Sequence, residues 1–453
     1  MDSNTSSATT PAGLSPWSAH TPQIAIPEHI SQAGDDNLAG ERLEHVAKLL
    51  PRYYHSASVV SNTSGDVYIF GGRVGNQFKN DTWVIKLAGD PDLPLEAKVN
   101  PTRLEVSATL LDTTGTTPKP RHWHQSALAD GFLIVWGGSA QDESGRIFTD
   151  DNSLYLLDIS THHWNKLDIR PAPSARIAHA ACICADQFLV FGGQSKPGEY
   201  LNDLWSLDLK QLTQGNPKWE QIAIAPESRS PSRRAGQTMV AYSTMLYMFG
   251  GCNEANAFND TWCFDMNTRT WTKLSCTGPI PPPRFIHAVS LVGDVVFMFG
   301  GEGDDRRDLG DGWSFKIPEK RWYRFPSMNS EPLARGGHIL ATAQECVFLV
   351  GGVRGDGAEP KDAKKVYKLD INLIGYPEQG EEITIKTMPR IEQLDSTRLI
   401  DASEESNHIE GGLLRGFGEI AQDIGPESGT LRATSIEVEV DAEESELVAV
   451  GAV

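Results

Sequence analysis

Cysteine is scarce in this chain: 453 residues hold six, and none form a Cys-x-x-Cys pair. A disulfide framework is therefore not expected, which suits a reducing compartment. Long apolar runs are missing too, and none approaches the roughly 20 residues that cross a bilayer. The Ser/Thr-rich stretch 1–11 lacks a charged segment followed by an apolar one, so no secretory signal is read. Positive charge is in deficit: 40 Lys and Arg face 60 Asp and Glu, a net charge of −20. That balance excludes a sequence-independent hold on nucleic acid and a polybasic membrane patch. There is no Gly-rich phosphate loop and no Gly-x-Ser-x-Gly. The expectation is a cytoplasmic protein with no nucleic-acid partner and no transmembrane segment.

The acidity is uneven. Residues 375–453 carry 18 acidic and 5 basic side chains, leaving only −7 for the rest. Such asymmetry marks a boundary near residue 375. The tail beyond it has few aromatics and reads as largely disordered. Within it, Ile409, Leu413, Leu414, Phe417, Ile420 and Ile424 make a helix-like stripe. Gly411, Gly412, Gly416 and Gly418 weaken that stripe, so it is expected either to stay disordered or to fold on a partner. No sustained heptads follow residue 375.

What the chain has in abundance is repetition. Gly-Gly doublets fall at Gly71-Gly72, Gly137-Gly138, Gly192-Gly193, Gly250-Gly251, Gly300-Gly301 and Gly351-Gly352, about 56 residues apart on average. An arginine stands 16 residues before each of the last five, at Arg121, Arg176, Arg234, Arg284 and Arg335. For the first, Arg52 to Gly71 is 19, with a longer turn at 61–66. A constant interval with variation confined to loops means one structural unit repeated.

Each unit reads as four strands. In the fifth, His287 to Val292 is strand a and Val295 to Phe299 is strand b, a short apolar run suited to burial on both faces. Strand c carries a first aromatic: Trp83, Tyr155, Trp205, Trp262, Trp313 and Tyr367. Strand d carries a second: Trp164, Trp219, Trp271 and Trp322. Leu104 to Leu111 is the best fourth strand for the first unit. Four short antiparallel strands make a propeller blade, which needs neighbours to cover its faces. The Arg and His that open each unit are expected to hydrogen-bond between blades; Gln237 stands where the fourth unit should have His.

The sixth unit lacks a second tryptophan. Trp17-Ser18-Ala19-His20, upstream of the repeats, is expected to supply its fourth strand and close blade six; the rival is Glu382-Ile383-Thr384-Ile385-Lys386 after them. Residues 1–50 otherwise look irregular, with a brief helix at Glu41 to Leu50. The fold class is therefore all-β, a six-bladed propeller over 51–374, with an irregular segment 1–50 and an acidic tail 375–453.

Arg-x-x-His, the run ending in Gly-Gly and the paired aromatics resemble kelch repeats over roughly 52–370. Pro16-Trp17-Ser18, Pro51-Arg52-Tyr53-Tyr54-His55-Ser56-Ala57, Asp66-Val67-Tyr68-Ile69-Phe70-Gly71-Gly72, Leu154-Tyr155-Leu156-Leu157-Asp158 and Leu201-Asn202-Asp203-Leu204-Trp205 also resemble the fungal kelch proteins of cell polarity and cell fusion. Those look like propellers followed by long coiled coils, which this tail does not match. The resemblance implies a non-enzymatic scaffold at sites of polarised growth, such as the cell cortex or a growing tip. Two other readings compete: a substrate receptor of a ubiquitin ligase, and a cytosolic metal-dependent kelch enzyme or specifier.

The residues favour binding over chemistry. Enzymatic kelch relatives resemble a copper oxidase with a Tyr–Cys site and His ligands, whereas these histidines mostly belong to the repeated opening. His122 with His124, and His162-His163, are the metal candidates. The iron-binding pattern Glu-x-x-x-Asp-x-x-x-His is met by Glu199 and Asp203, but Leu207 replaces its histidine. No cofactor or metal is expected. In an up-and-down blade the b–c and d–a loops share one face, and the b–c loops vary most in length. They carry Arg73, Asp142, Glu143, Arg146, Glu199, Glu302, Arg306, Arg307 and Arg354. Variable charged loops on a rigid body suit partner recognition, so other proteins are the expected partners, through that face and through the tail. The loop from Glu302 to Asp311 is the most individual part of its unit.

Overall fold

The computed structural model describes residues 15–27, 48–58, 65–88, 105–326, 332–343, 346–377 and 384–385. The tail stripe at 409–424 and most of the Glu41 to Leu50 segment lie outside these residues.

Six antiparallel sheets form the blades of a propeller. Blade 1 runs from strand a, Ser56–Ala57, through Val67–Val74 and Gln77–Ala88 to strand d, Glu105–Leu110. In blade 5 the four strands are Ala288–Val292, Val295–Phe299, Gly312–Lys316 and Arg321–Arg324. Blade 3 accommodates its insertion before strand d as a short helix, Lys210–Thr213. Two blades gain a fifth, parallel strand: Gln23–Ala25 on blade 1 and Thr114–Gly115 on blade 2.

Blade 6 takes Ile339–Ala343, Cys346–Val350 and Val366–Leu369 from the end of the array. Its outer strand is Trp17–His20, paired antiparallel from Trp17 opposite Leu369 to His20 opposite Val366. Thr384–Ile385 pairs instead with Ile374–Gly375 in a separate two-stranded sheet.

Burial follows from the alternation within these strands. Successive side chains point to opposite faces of a blade, and each face meets the next blade. The buried apolar residues accordingly divide into layers between blades. Ile69, Trp83 and Ala108 of blade 1 pack on Phe348 and Val350 of blade 6. Phe299 and Phe325 of blade 5 pack on Leu349, Tyr367 and Trp17 of blade 6. Corresponding layers fill the other four joints. All six cysteines are free thiols, and Cys182 and Cys184 share the layer between blades 3 and 4.

Candidate protein-binding face

The repeated arginine is the anchor of each blade. Arg52 donates from Nη1 to the carbonyl of Gly71 at 2.6 Å and to Asp81 at 2.6 Å; the Asp81 carboxylate also accepts from Trp83 Nε1 at 2.8 Å. The same unit recurs as Arg176–Asp203–Trp205, Arg234–Asp260–Trp262 and Arg284–Asp311–Trp313. In blades 2 and 6 a tyrosine hydroxyl replaces the indole: Arg121–Asp151–Tyr155 and Arg335–Asp362–Tyr367. Burial alone would raise these carboxyls; the adjacent guanidinium outweighs it and holds all six below the usual range, Asp151 at about 2. Asp81, Asp203 and Asp260 are thus framework, which disposes of the iron-binding pattern at Asp203.

The expected role of the arginines needs a correction. Their guanidinium groups tie strands within one blade, not between blades. The chain is oriented so that the arginine's own carbonyl, not its side chain, crosses the joint. Gly352 N–H donates to Arg52 O, Gly138 to Arg176 O and Gly301 to Arg335 O. The histidine position bridges to the preceding blade in blades 2, 4 and 5: His124 Nε2 lies 3.1 Å from Phe70 O, Gln237 Nε2 donates to Phe191 O at 3.0 Å, and His287 Nε2 lies 2.8 Å from Thr238 Oγ1. Glutamine suffices because only one donor at that reach is needed. Burial, then the nearby arginine charge, keep His55, His122, His179 and His287 neutral, and hold His124 and His338 down at about 3. His163 is an exposed strand residue whose Nδ1 lies 3.0 Å from Thr114 Oγ1. Among the described residues no three His, Cys, Asp or Glu side chains gather as a metal site.

Between arginine and histidine sits a feature the sequence did not reveal. Tyr54, Trp123, Ala178, Gly236, Ile286 and Gly337 all adopt positive φ, between 50° and 67°. Each N–H donates to the same position of its neighbour: Tyr54 to Gly337, Gly337 to Ile286, Ile286 to Gly236, Gly236 to Ala178, Ala178 to Trp123, and Trp123 back to Tyr54. These six bonds, 2.8–3.1 Å long, close a circle. Tyr54 stacks on Trp123 at 3.8 Å, and Gly337 is required because a Cβ there would stand 2.4 Å from Tyr54 Cδ1. Inside the circle is a cavity of about 130 Å³ whose lining includes His55, His124, His179, Gln237, His287 and His338. Tyr54 and Ile286 are half-buried, and with Phe285, Tyr200 and Trp123 they form an apolar cluster.

Around this circle lie the b–c loops. The residue after each doublet pairs with the one after the arginine: Tyr53 with Arg73, His122 with Ser139, Ile177 with Gln194, Ala235 with Cys252, Phe285 with Glu302 and Gly336 with Val353. That pairing turns Arg73 and Glu302 inward. Arg73 is 8% exposed and lies over the rings of Tyr53 and Phe78; Glu302 is 6% exposed. Asp142 organises its own loop, accepting from Ser144 Oγ at 2.6 Å and Arg146 N at 3.0 Å, while Glu143 and Arg146 are exposed. Glu199 accepts from Ser195 Oγ at 2.5 Å. Arg306, Arg307 and Arg354 are exposed.

The structure brings some of these together. Arg306 reaches a small cavity it shares with Cys252, Glu254 and Asp304 of blades 4 and 5. Asp308 accepts the Gly355 N–H at 2.8 Å, joining the loops of blades 5 and 6 beside Arg354 and Asp356. Burial first, then Asp308, push Glu302 up to about 8, with the Arg306 charge opposing. Asp142 and Arg146, on blade 2, are separate from this group.

The matching family model is the KLHDC2/KLHL20/DRC7 Kelch-repeats domain, over residues 42–169, 95–213 and 124–352. The fission yeast (Schizosaccharomyces pombe) Tip elongation aberrant protein 1 is 34% identical over 72% of the chain and 26% of its own length. Baker's yeast (Saccharomyces cerevisiae) Kelch repeat-containing protein 2 is 28% identical over 68% of the chain and 34% of its own length. The Drosophila melanogaster Leucine-zipper-like transcriptional regulator 1 homolog is 28% identical over 59% and 26%. The chain thus spans about a third or less of the length of these relatives. With six blades closed by one repeated Arg–Gly–Asp–aromatic unit, the chain belongs to the kelch-repeat family.

Proposed function

We propose that the chain is a non-enzymatic scaffold that binds other proteins through its b–c loop face, in the service of polarised growth at the cell cortex or tip. One observation carries it. The repeated Arg and Asp side chains are paired within the framework and the repeated His side chains are buried in it, while Arg146, Arg306, Arg307 and Arg354 project from loops of unequal length around a partly apolar axis. A rigid body with variable exposed loops is an arrangement suited to recognition. The polarity assignment draws on likeness to a protein named for aberrant tip elongation.

Proximity labelling and imaging of the tagged protein test this, alongside an Arg306→Ala/Arg307→Ala/Arg354→Ala variant. Enrichment at growth sites, with neighbours lost in the variant, is expected. Diffuse staining and an unchanged set of labelled proteins would remove the assignment.

A further inference from the structure

Phe285, Glu302 and Asp308 stand side by side. Phe285 pairs with Glu302 in a two-stranded sheet, and Glu302 forms an antiparallel bridge to Asp308 on its other side. Residues directly opposed in this way have Cβ atoms roughly 4.5–5.5 Å apart on one face. Two carboxyl groups are therefore held together, and Asp308 is fixed by accepting the Gly355 N–H with both oxygens at 2.8 Å.

Nothing in the framework requires a carboxyl at 302. Ser139, Gln194, Cys252 and Val353 fill the equivalent place in four other blades. Among the described residues no hydrogen bond or ion pair reaches the Glu302 carboxyl, although the residue is 94% removed from solvent. The neighbouring cations do not fill the gap. Arg307 lies 3.7 Å from Asp305 and Arg354 3.0 Å from Asp356, while Arg306 is exposed on a loop at φ +68°. A carboxyl on a residue so far removed from water, with no hydrogen bond or ion pair among the described residues, is costly, and such groups mark candidate binding positions.

We propose that Glu302 and Asp308 form a receiving notch for an arginine side chain of a partner protein. The proposal rests on the scaffold reading and names the chemistry of its partner. A guanidinium is planar and presents five donors, so one such group spans two adjacent carboxylates where a lysine ammonium offers a single point. Much of the desolvation of Glu302 has already occurred in folding, so a cation arriving there recovers it. Arg306 sits near the notch and partly offsets its charge when the notch is empty.

The test uses the full chain and two blocked tripeptides, acetyl-Gly-Arg-Gly-amide and its citrulline counterpart, which keeps the shape and loses the charge. Titration followed by NMR is expected to show millimolar binding of the arginine peptide, at least tenfold tighter than the citrulline one. Glu302→Gln with Asp308→Asn is expected to abolish that preference; Gln194 shows that glutamine fits the equivalent place. Asp186→Asn, a change of charge at a strand a–b turn, is expected to leave it intact. The groups facing Glu302 are Asp308, Arg306 and Cys252, so binding is also expected to strengthen from pH 6.5 to 9 as Glu302 ionises. Equal affinity for the two peptides, or an undiminished preference in the double variant, overturns the proposal. If that happens while the triple-arginine variant still loses its labelled neighbours, the notch falls and the scaffold stands. Binding at the notch with diffuse, unchanged labelling has the opposite meaning.

Discussion

Arg335 and Asp362 form the one blade pair in which both side chains are sealed from solvent. In the other five the aspartate is 11–22% exposed. Removing one member of a sealed pair strands a buried charge, which costs about 3–5 kcal/mol. Arg335→Met is expected to lose that much in urea unfolding, and Arg234→Met less, because Asp260 keeps some water. Arg335→Met with Asp362→Leu is expected to recover much of the loss. Equal costs at the two sites would show that solvent access does not set the penalty.

Acid is expected to weaken the protein in two stages. The buried histidines have folded values below their unfolded 6.5, so the unfolded chain binds more protons below that pH and stability falls as pH drops. The six aspartates have folded values below 3.8, so their contribution is complete above that pH and is lost on further acidification. His179→Gln, which copies the residue the fourth blade already carries as Gln237, is expected to keep stability at pH 7.5 and reduce the slope between pH 6 and 4 by up to about 1.4 kcal/mol per unit. An unaltered slope in urea midpoints across that range would assign the proton uptake elsewhere.

Glu302 works in the reverse sense. Its folded value of about 8 exceeds the unfolded 4.5, so the folded state holds the extra proton and stability declines as pH rises between them. Glu302→Gln is expected to match the parent near pH 5 and to melt several degrees higher at pH 9. A melting difference independent of pH would mean that packing, not charge, separates the two.

Trp17 is 8% exposed and meets Phe299 edge-on at 5.7 Å. Trp17→Ala is expected to cost roughly 3–5 kcal/mol, the range for a buried aromatic, and to loosen the blade 5–6 joint first. Hydrogen exchange of Val366–Leu369 amides reads this directly; unchanged protection there would argue against the strand's contribution.

Gly337→Ala is expected to be more damaging than its size suggests, since the new methyl meets Tyr54 and the backbone holds φ +62°. Ala178 carries a methyl at the equivalent place and at φ 50°, so the cost at Gly337 is set by the Tyr54 ring that its methyl would meet. Loss of about 2 kcal/mol or more in denaturant unfolding is expected, and a neutral effect would mean Tyr54 moves aside freely.

The strands were legible because their signals are local. Arg284 and Gly300 keep their interval of 16 since one hairpin joins them, and Val295–Phe299 is apolar because both its faces are covered. Asp311 was not legible as the partner of Arg284, because a variable b–c loop separates such pairs, by 26 residues at Asp260 and 30 at Asp151. The circle through Tyr54, Ala178 and Gly236 left no trace in side-chain chemistry, because backbone atoms make its bonds. In the sequence Glu302 is one charged b–c loop residue among several; its pairing with Phe285, which turns it inward, joins positions on separate strands.

The pairing of Trp17 with Leu369 also sets an order on the life of the molecule. A ribosome delivers Trp17 early and Leu369 several hundred positions later. Throughout translation the early strand has no sheet to join, and one face of blade 1 has no neighbour. Blades 1 to 5 can assemble as an open arc, but the arc becomes a ring only after synthesis passes residue 369. Until then the segment is a strand edge without its sheet, open to pairing with the wrong chain.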